Sequence, residues 1–243
     1  MFIDFDIKEK LKELKCAGNS STSLRARKLS KEYFDLGVAF WLLNPDEEEY
    51  SADFLTKRYL HKDISTGSLA GQAGQAVKKE LYNYAVKKLK GYKLEKLFYE
   101  VEMPLLAILA EMEMRGIKVN VKELKNLDKE LEKNLSGLVK KIYKEAGGAF
   151  NINSPKQLGV ILFQKLNIKL DGVRKTKGGA ISTIIDTLMT IQGRHPIVKY
   201  ILEYRELFKL QSTYVRPLRE LADKEQRVHT TYIQTGTSTG RLS

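Results

Sequence analysis

Apolar residues recur along most of this chain at three- and four-residue steps, a spacing that predicts a mainly helical protein. The clearest stretch is 121–146, where Leu124, Leu127, Leu131, Leu135, Leu138 and Ile142 form one stripe. Asn120 with Glu123 three residues on makes a capping box in outline, Lys140, Lys141 and Lys144 sit near the far end, and Gly147-Gly148 stop the helix. Such a stripe means packing, and it predicts one arm of an antiparallel helix pair. His195-Pro196 opens another long helix, packed through Ile197, Ile201 and Phe208. Shorter helices are expected over 34–43, stopped by Asn44-Pro45, over 77–98, over 104–115, after Ser154-Pro155, and from Ser182-Thr183 to Gly193. Residues 2–5 read as a short strand and 7–15 as a charged helix. Stretches 16–29 and 171–180 read as loops, and 65–76, rich in Gly, Ser, Ala and Gln, as a flexible connection. From Val228 the pattern alternates like a strand through Thr230 and Tyr232, then turns small and hydroxylated before Gly240-Arg241.

Composition turns this helical outline towards a polyanion. The chain has 243 residues, enough for one large domain or two small ones, and a formal charge of +12. Residues 137–216 hold 14 Lys/Arg against 5 Asp/Glu, so +9 of that charge lies in one stretch. A basic stretch of this kind suits phosphates, with a solvated face as the alternative. Cys16 is the single cysteine, which fits a reducing compartment, and the longest apolar run, 36–43, is too short to cross a bilayer. Acidic residues follow Met1 almost at once, so no signal peptide is expected and the protein reads as soluble and cytoplasmic.

Four segments could touch phosphate. Arg205 and Lys209 stand four apart on one helix, with Ser212 and Arg216 continuing the stripe. Like charges at this spacing repel by about 0.2–0.5 kcal/mol, a penalty that a bound phosphate strand would reverse. Two solvated cations beside Glu203 and Glu206 are the alternative. Asn151, Asn153, Ser154, Lys156 and Gln157 cluster at a helix N-terminus, where backbone N–H groups and the dipole suit an anion. Capping by Ser154 is the simpler reading, though it leaves both asparagines and Lys156 unexplained. Arg174, Lys175 and Lys177 sit among glycines in a basic loop. Gly240 would let backbone approach a ligand while Arg241 reaches it, unless the segment is a frayed tail. His61, His195 and His229 are scattered, and no P-loop, cysteine cluster or nucleophile elbow is present. The residues by themselves make no complete active site.

Five segments together resemble the family A DNA polymerases. They are F-D-L-G-V-A-F-W-L-L-N-P (34–45), E-M-P-L-L-A-I-L-A-E-M-E-M-R-G-I-K-V-N (102–120), F-N-I-N-S-P-K-Q-L-G-V-I-L-F-Q-K-L (150–166), E-Y-R-E-L-F-K-L-Q-S-T-Y (203–214) and V-H-T-T-Y-I-Q-T with T-G-R-L-S at the end. Any one is weak, but five in order are specific, and they cover most of the chain from 34 onward.

The resemblance implies a partial α/β exonuclease-like remnant over 1–100. After it come a helical thumb with a long antiparallel helix pair over 101–217 and the start of a truncated palm, its first strand included, over 218–243. It gives Asn151, Asn153, Ser154, Lys156, Arg205, Lys209 and Arg241 to DNA binding, and the neighbouring Gln157, Lys175, Lys177 and Ser212 are assigned with them from charge and position. The partner implied is primer–template duplex, with deoxynucleotides and Mg²⁺ needed only by the intact parent. This chain itself would take no cofactor, bind no membrane and act as a monomer in the cytoplasm, at the nucleoid. The family's two magnesium-binding palm aspartates lie downstream of T-G-R-L-S, so the chain is expected to be an inactive fragment of a replication and repair enzyme. Proofreading is expected to be lost too. Asp6 matches the second exonuclease motif, but where the third needs a tyrosine and an aspartate four residues on, Tyr84 is followed by Lys88. A non-enzymatic basic helical DNA-binding module, or an accessory subunit of a split polymerase, is the alternative.

Overall fold

The computed structural model describes residues 1–16, 32–62, 71–169 and 185–243, and it divides the chain into two compact units. The first comprises Met1–Ile117 and His229–Ser243, the second Lys118–Val228.

The first unit is built on a β–α–β start. Strand β1 (Phe2–Asp4) pairs in parallel with β2 (Tyr33–Asp35), in the register Phe2 to Tyr33 and Asp4 to Asp35, and helix α1 (Ile7–Cys16) lies between them in the chain. The helix expected from residue 34 starts later. Residues 33–35 are taken by the sheet, and Asp35 then caps α2 (Leu36–Leu43) by accepting the Val38 N–H at 2.9 Å. The other oxygen of Asp35 accepts the Ile7 N–H, also at 2.9 Å, so one carboxyl organises two helix starts. Burial outweighs both bonds and pushes this carboxyl up to about 7.

Helix α3 (Gly71–Gly91) packs on α2 through Val77, Leu81, Ala85 and Leu89, one face at four-residue steps. Its first turns include 71–76, part of the segment expected to be a flexible connection. Gly74 is buried there, so tertiary packing overrides a weak local propensity. Phe34 lies 4.7 Å from both Tyr82 and Phe98, centroid to centroid, and Phe40 stacks on Tyr84. Helix α4 (Met103–Arg115) packs against α1 in this same unit, although the sequence reading begins the thumb near 101.

In the second unit, α5 (Val121–Ala146) forms as its stripe predicts. Asn120 accepts the Glu123 N–H, and Gly147 ends the helix at φ +65°, a left-handed turn that glycine adopts without strain. Helix α6 (Pro155–Gly159) continues through a wider, π-helical stretch, Val160–Lys165. Helix α7 (Ile185–Thr190) follows the undescribed residues, and α8 (Pro196–Lys209) leads through the π-helical stretch Leu210–Val215 into α9 (Arg216–Glu220). Helices α5 and α8 run in opposite senses. Asp128, early in α5, meets Gln211, Arg216 and Arg219, while the Lys141 ammonium, late in α5, lies 5.4 Å from the Tyr200 ring centre. Leu135, Leu138, Ile142, Ile197 and Ile201 fill the core between them.

Candidate nucleic-acid interface

Two of the segments that could touch phosphate share the second unit, and one hydrogen bond joins them. Ser154 caps α6 by accepting the Gln157 N–H, and the Gln157 side chain accepts the Asn151 N–H at 2.7 Å. The Asn151 side chain accepts the Asn153 N–H at 3.0 Å, closing a local turn. Asn153 Nδ2 donates to the Tyr204 hydroxyl at 3.2 Å, and Tyr204 precedes Arg205 on α8. Local turns and caps thus occupy the Asn151 and Ser154 side chains, while the Asn153 side chain reaches Tyr204. Lys156 is exposed and makes no ion pair among the described residues. Tyr204 carried no signal in the sequence beyond its place on an apolar face.

Arg205 is half-buried, and burial lowers its pKa from the ordinary arginine value. Lys209 is exposed, with no ion pair among the described residues. Together with Lys199 they line a groove of about 760 Å³ whose apolar wall includes Ile185, Met189 and Tyr214, and whose acidic members are Glu203 and Glu206. Cations beside exposed apolar surface suit a sugar–phosphate chain, since one part meets phosphate and the other the sugar. Lys175 and Lys177 lie outside the described residues.

The stripe expected to run from Arg205 through Ser212 to Arg216 stops at Lys209. Over Leu210–Val215 the helix widens, so Leu210 and Tyr214, rather than Ser212 and Arg216, follow Lys209 along the groove. The Ser212 hydroxyl donates to the Phe208 carbonyl at 2.7 Å. Arg216 turns back to Asp128 at 3.0 Å, with Arg219 at 2.5 Å from the same carboxylate and Gln211 donating at 2.8 Å. Burial raises the Asp128 pKa, but the Arg216 and Gln211 bonds outweigh it and hold the carboxyl below 3.8. Asp128→Ala is therefore expected to cost about 1–2 kcal/mol, moderated because both arginines can reach water. Urea denaturation checks it, and loss at neutral pH should shrink as pH falls through the carboxyl range and wild-type Asp128 protonates.

In the first unit, residues 229–243 are tied down rather than frayed. Glu113 is 4% exposed and receives Lys8 at 2.6 Å, Lys12 at 2.5 Å and the Tyr232 N–H at 2.8 Å. Its backbone carbonyl accepts from His229 at 2.7 Å, and Lys8 also reaches the Tyr232 carbonyl at 2.6 Å. Ile233 and Ser243 exchange both backbone hydrogen bonds, at 2.7 and 3.1 Å, closing a loop with Gly240 at φ +77° and Arg241 exposed. A Cβ on Gly236 would run into the Ser243 hydroxyl, so Ser243 would have to shift.

The positions expected to match exonuclease motifs have local partners. Asp6 accepts the Glu9 N–H at 3.0 Å as a cap on α1. The Lys88 ammonium lies 5.7 Å from the Tyr84 ring centre. Among the described residues, no three His, Cys, Asp or Glu side chains group as a metal site needs. No helix among them is long and apolar enough to cross a membrane.

The model of DNA polymerase family A matches residues 121–243. DNA polymerase I of Bacillus subtilis (strain 168) is 41% identical over 229 residues, 86% of this chain and 26% of that protein. DNA polymerase I of Synechocystis is 41% identical over 231 residues, 86% of this chain and 23% of that one. The chain thus spans about a quarter of the length of these relatives. Among solved structures, the POL domain of Pol1 from M. smegmatis, in complex with DNA primer-template and dNTP, superposes with a TM-score of 0.77 at 30% identity, over 86% of this chain and 36% of that one.

Proposed function

Given that the chain belongs to DNA polymerase family A, we propose that it grips primer–template duplex for template-directed synthesis in replication and repair. On this reading the second unit supplies the thumb, the first unit is a degenerate exonuclease-like domain, and the loop ending in T-G-R-L-S begins the palm. The observation that carries it is the Asn153–Tyr204 bond, which fastens the turn bearing Lys156 to the helix bearing Arg205 and Lys209. Three cations from distant segments then belong to one rigid surface, as following a sugar–phosphate backbone requires. The relative solved with primer-template supports a duplex partner. Duplex binding is the activity assigned to these residues, and phosphoryl transfer, which uses magnesium-binding carboxylates, is assigned to none of them.

Binding of the chain to a labelled duplex, measured from 50 to 300 mM salt, tests this. Affinity should be independent of sequence, and log K should fall against log[salt] with a slope of about −0.9 per phosphate, near −4 for four or five contacts. Absent binding, or binding indifferent to salt, would sink the proposal.

A further inference from the structure

The loop carrying Arg241 is fastened to helices of the first unit at three places. Tyr232 is held on both its N–H and its carbonyl, by Glu113 of α4 and Lys8 of α1. Gln234, 6% exposed, donates through Nε2 to the Glu102 carbonyl at 3.1 Å and to the Glu102 carboxylate. The Trp41 indole N–H, from α2, donates to the Thr237 carbonyl at 3.0 Å. The Ile233–Ser243 pairing closes the loop above these ties, and the Thr237 hydroxyl donates to the Arg241 carbonyl at 2.8 Å. Position therefore passes from α1, α2 and α4 to Tyr232, Gln234 and Thr237, and through Thr237 to Arg241. Glu113 is the least replaceable member. It is the acceptor common to Lys8, Lys12 and Tyr232, and its depressed pKa keeps it ionised at neutral pH.

We propose that the first unit, whose exonuclease positions hold no metal-binding cluster, is the mount for the 232–243 loop. Glu113 is its positioning residue, setting where Arg241 meets DNA without touching DNA. This rests on the reading of Arg241 as a DNA contact. A unit that had lost one chemistry would in this way keep a mechanical task, which accounts for its dense aromatic core.

The test uses the full chain and two readouts. Amide hydrogen exchange, without DNA, should quicken at least tenfold at Tyr232 and Ser243 in Glu113→Gln, with α5 and α8 unchanged, and Glu113→Asp should recover part of the protection. Duplex binding should weaken about tenfold in Glu113→Gln, as in Arg241→Ala, with the salt slope smaller by about one in each. The double variant should bind within about twofold of Arg241→Ala, since both changes remove one contact. A merely structural role would leave the slope unmoved and make the losses additive, which overturns the proposal, as does unchanged exchange. If Glu113→Gln does not fold, Gln234→Met removes the Glu102 tie at similar volume and must give the same pattern. Should Arg241→Ala bind duplex like wild type, the DNA reading of that arginine has failed. Exchange then decides the mount alone: faster exchange keeps it and unchanged exchange overturns it.

Discussion

Arg205→Glu with Lys209→Glu is expected to weaken duplex binding about a hundredfold near 100 mM salt, roughly 2.7 kcal/mol. Two phosphate neutralisations are lost and two repulsions take their place, and the salt slope should fall by about two. The pair stands four residues apart on α8, so both side chains face one groove and one strand can feel both. Neither residue belongs to the buried core that joins α5 to α8, so helicity and melting temperature should stay near wild type. Neutral replacement by glutamine separates the two parts of the loss, because it removes attraction without adding repulsion. A filter-binding or anisotropy titration across salt is sufficient. Equal binding by wild type and the double reversal would move the interface off α8.

Glu113→Ala is expected to destabilise the first unit by about 3–5 kcal/mol, because it takes the carboxylate partner from the ammonium of Lys8, itself 8% exposed, and leaves that charge on the Tyr232 carbonyl. The pH dependence has a definite sign. Burial alone would raise the Glu113 pKa, but bonds from Lys12, Lys8 and the Tyr232 N–H outweigh it and keep the folded value below 4.5. The unfolded chain therefore binds more protons in that range, so the contribution is present above pH 4.5 and lost as pH falls through the lower folded value. Chemical denaturation at pH 7 and again near pH 3 checks this. The gap between wild type and Glu113→Ala should narrow at the acid end.

Local signals explain which parts of this architecture could be read from residues. Helix α5 was legible because its stripe, its Asn120 cap and its Gly147 stop all act within a few residues. The start of α8 was legible from Pro196, although the cap itself, His195 Nδ1 accepting the Ile197 N–H, was not foreseen. Strand β2 was missed because Tyr33–Asp35 is only three residues long and pairs with a strand near residue 3. The basic pair and the asparagine turn were legible as candidates, but their connection through Tyr204 spans 51 positions. Glu113 and Asp128 were invisible for the same reason. Their partners lie 105 and 88 residues away, and an acidic residue in a helix looks solvated until the fold closes over it.

The π-helical stretch Leu210–Val215 acts as a phase shifter within one continuous rod. Before it, α8 turns its cations outward to the groove, and after it the same rod turns Arg216 and Arg219 inward to α5. A π-helical turn holds about one residue more than an α-helical turn. Losing one residue here would thus return the rod to regular α-helix while Arg216 and Arg219 keep facing Asp128. The segment is consequently able to absorb a one-residue change that a regular helix could not, and within it the buried Gln211 and Val215 are the side chains least free to vary.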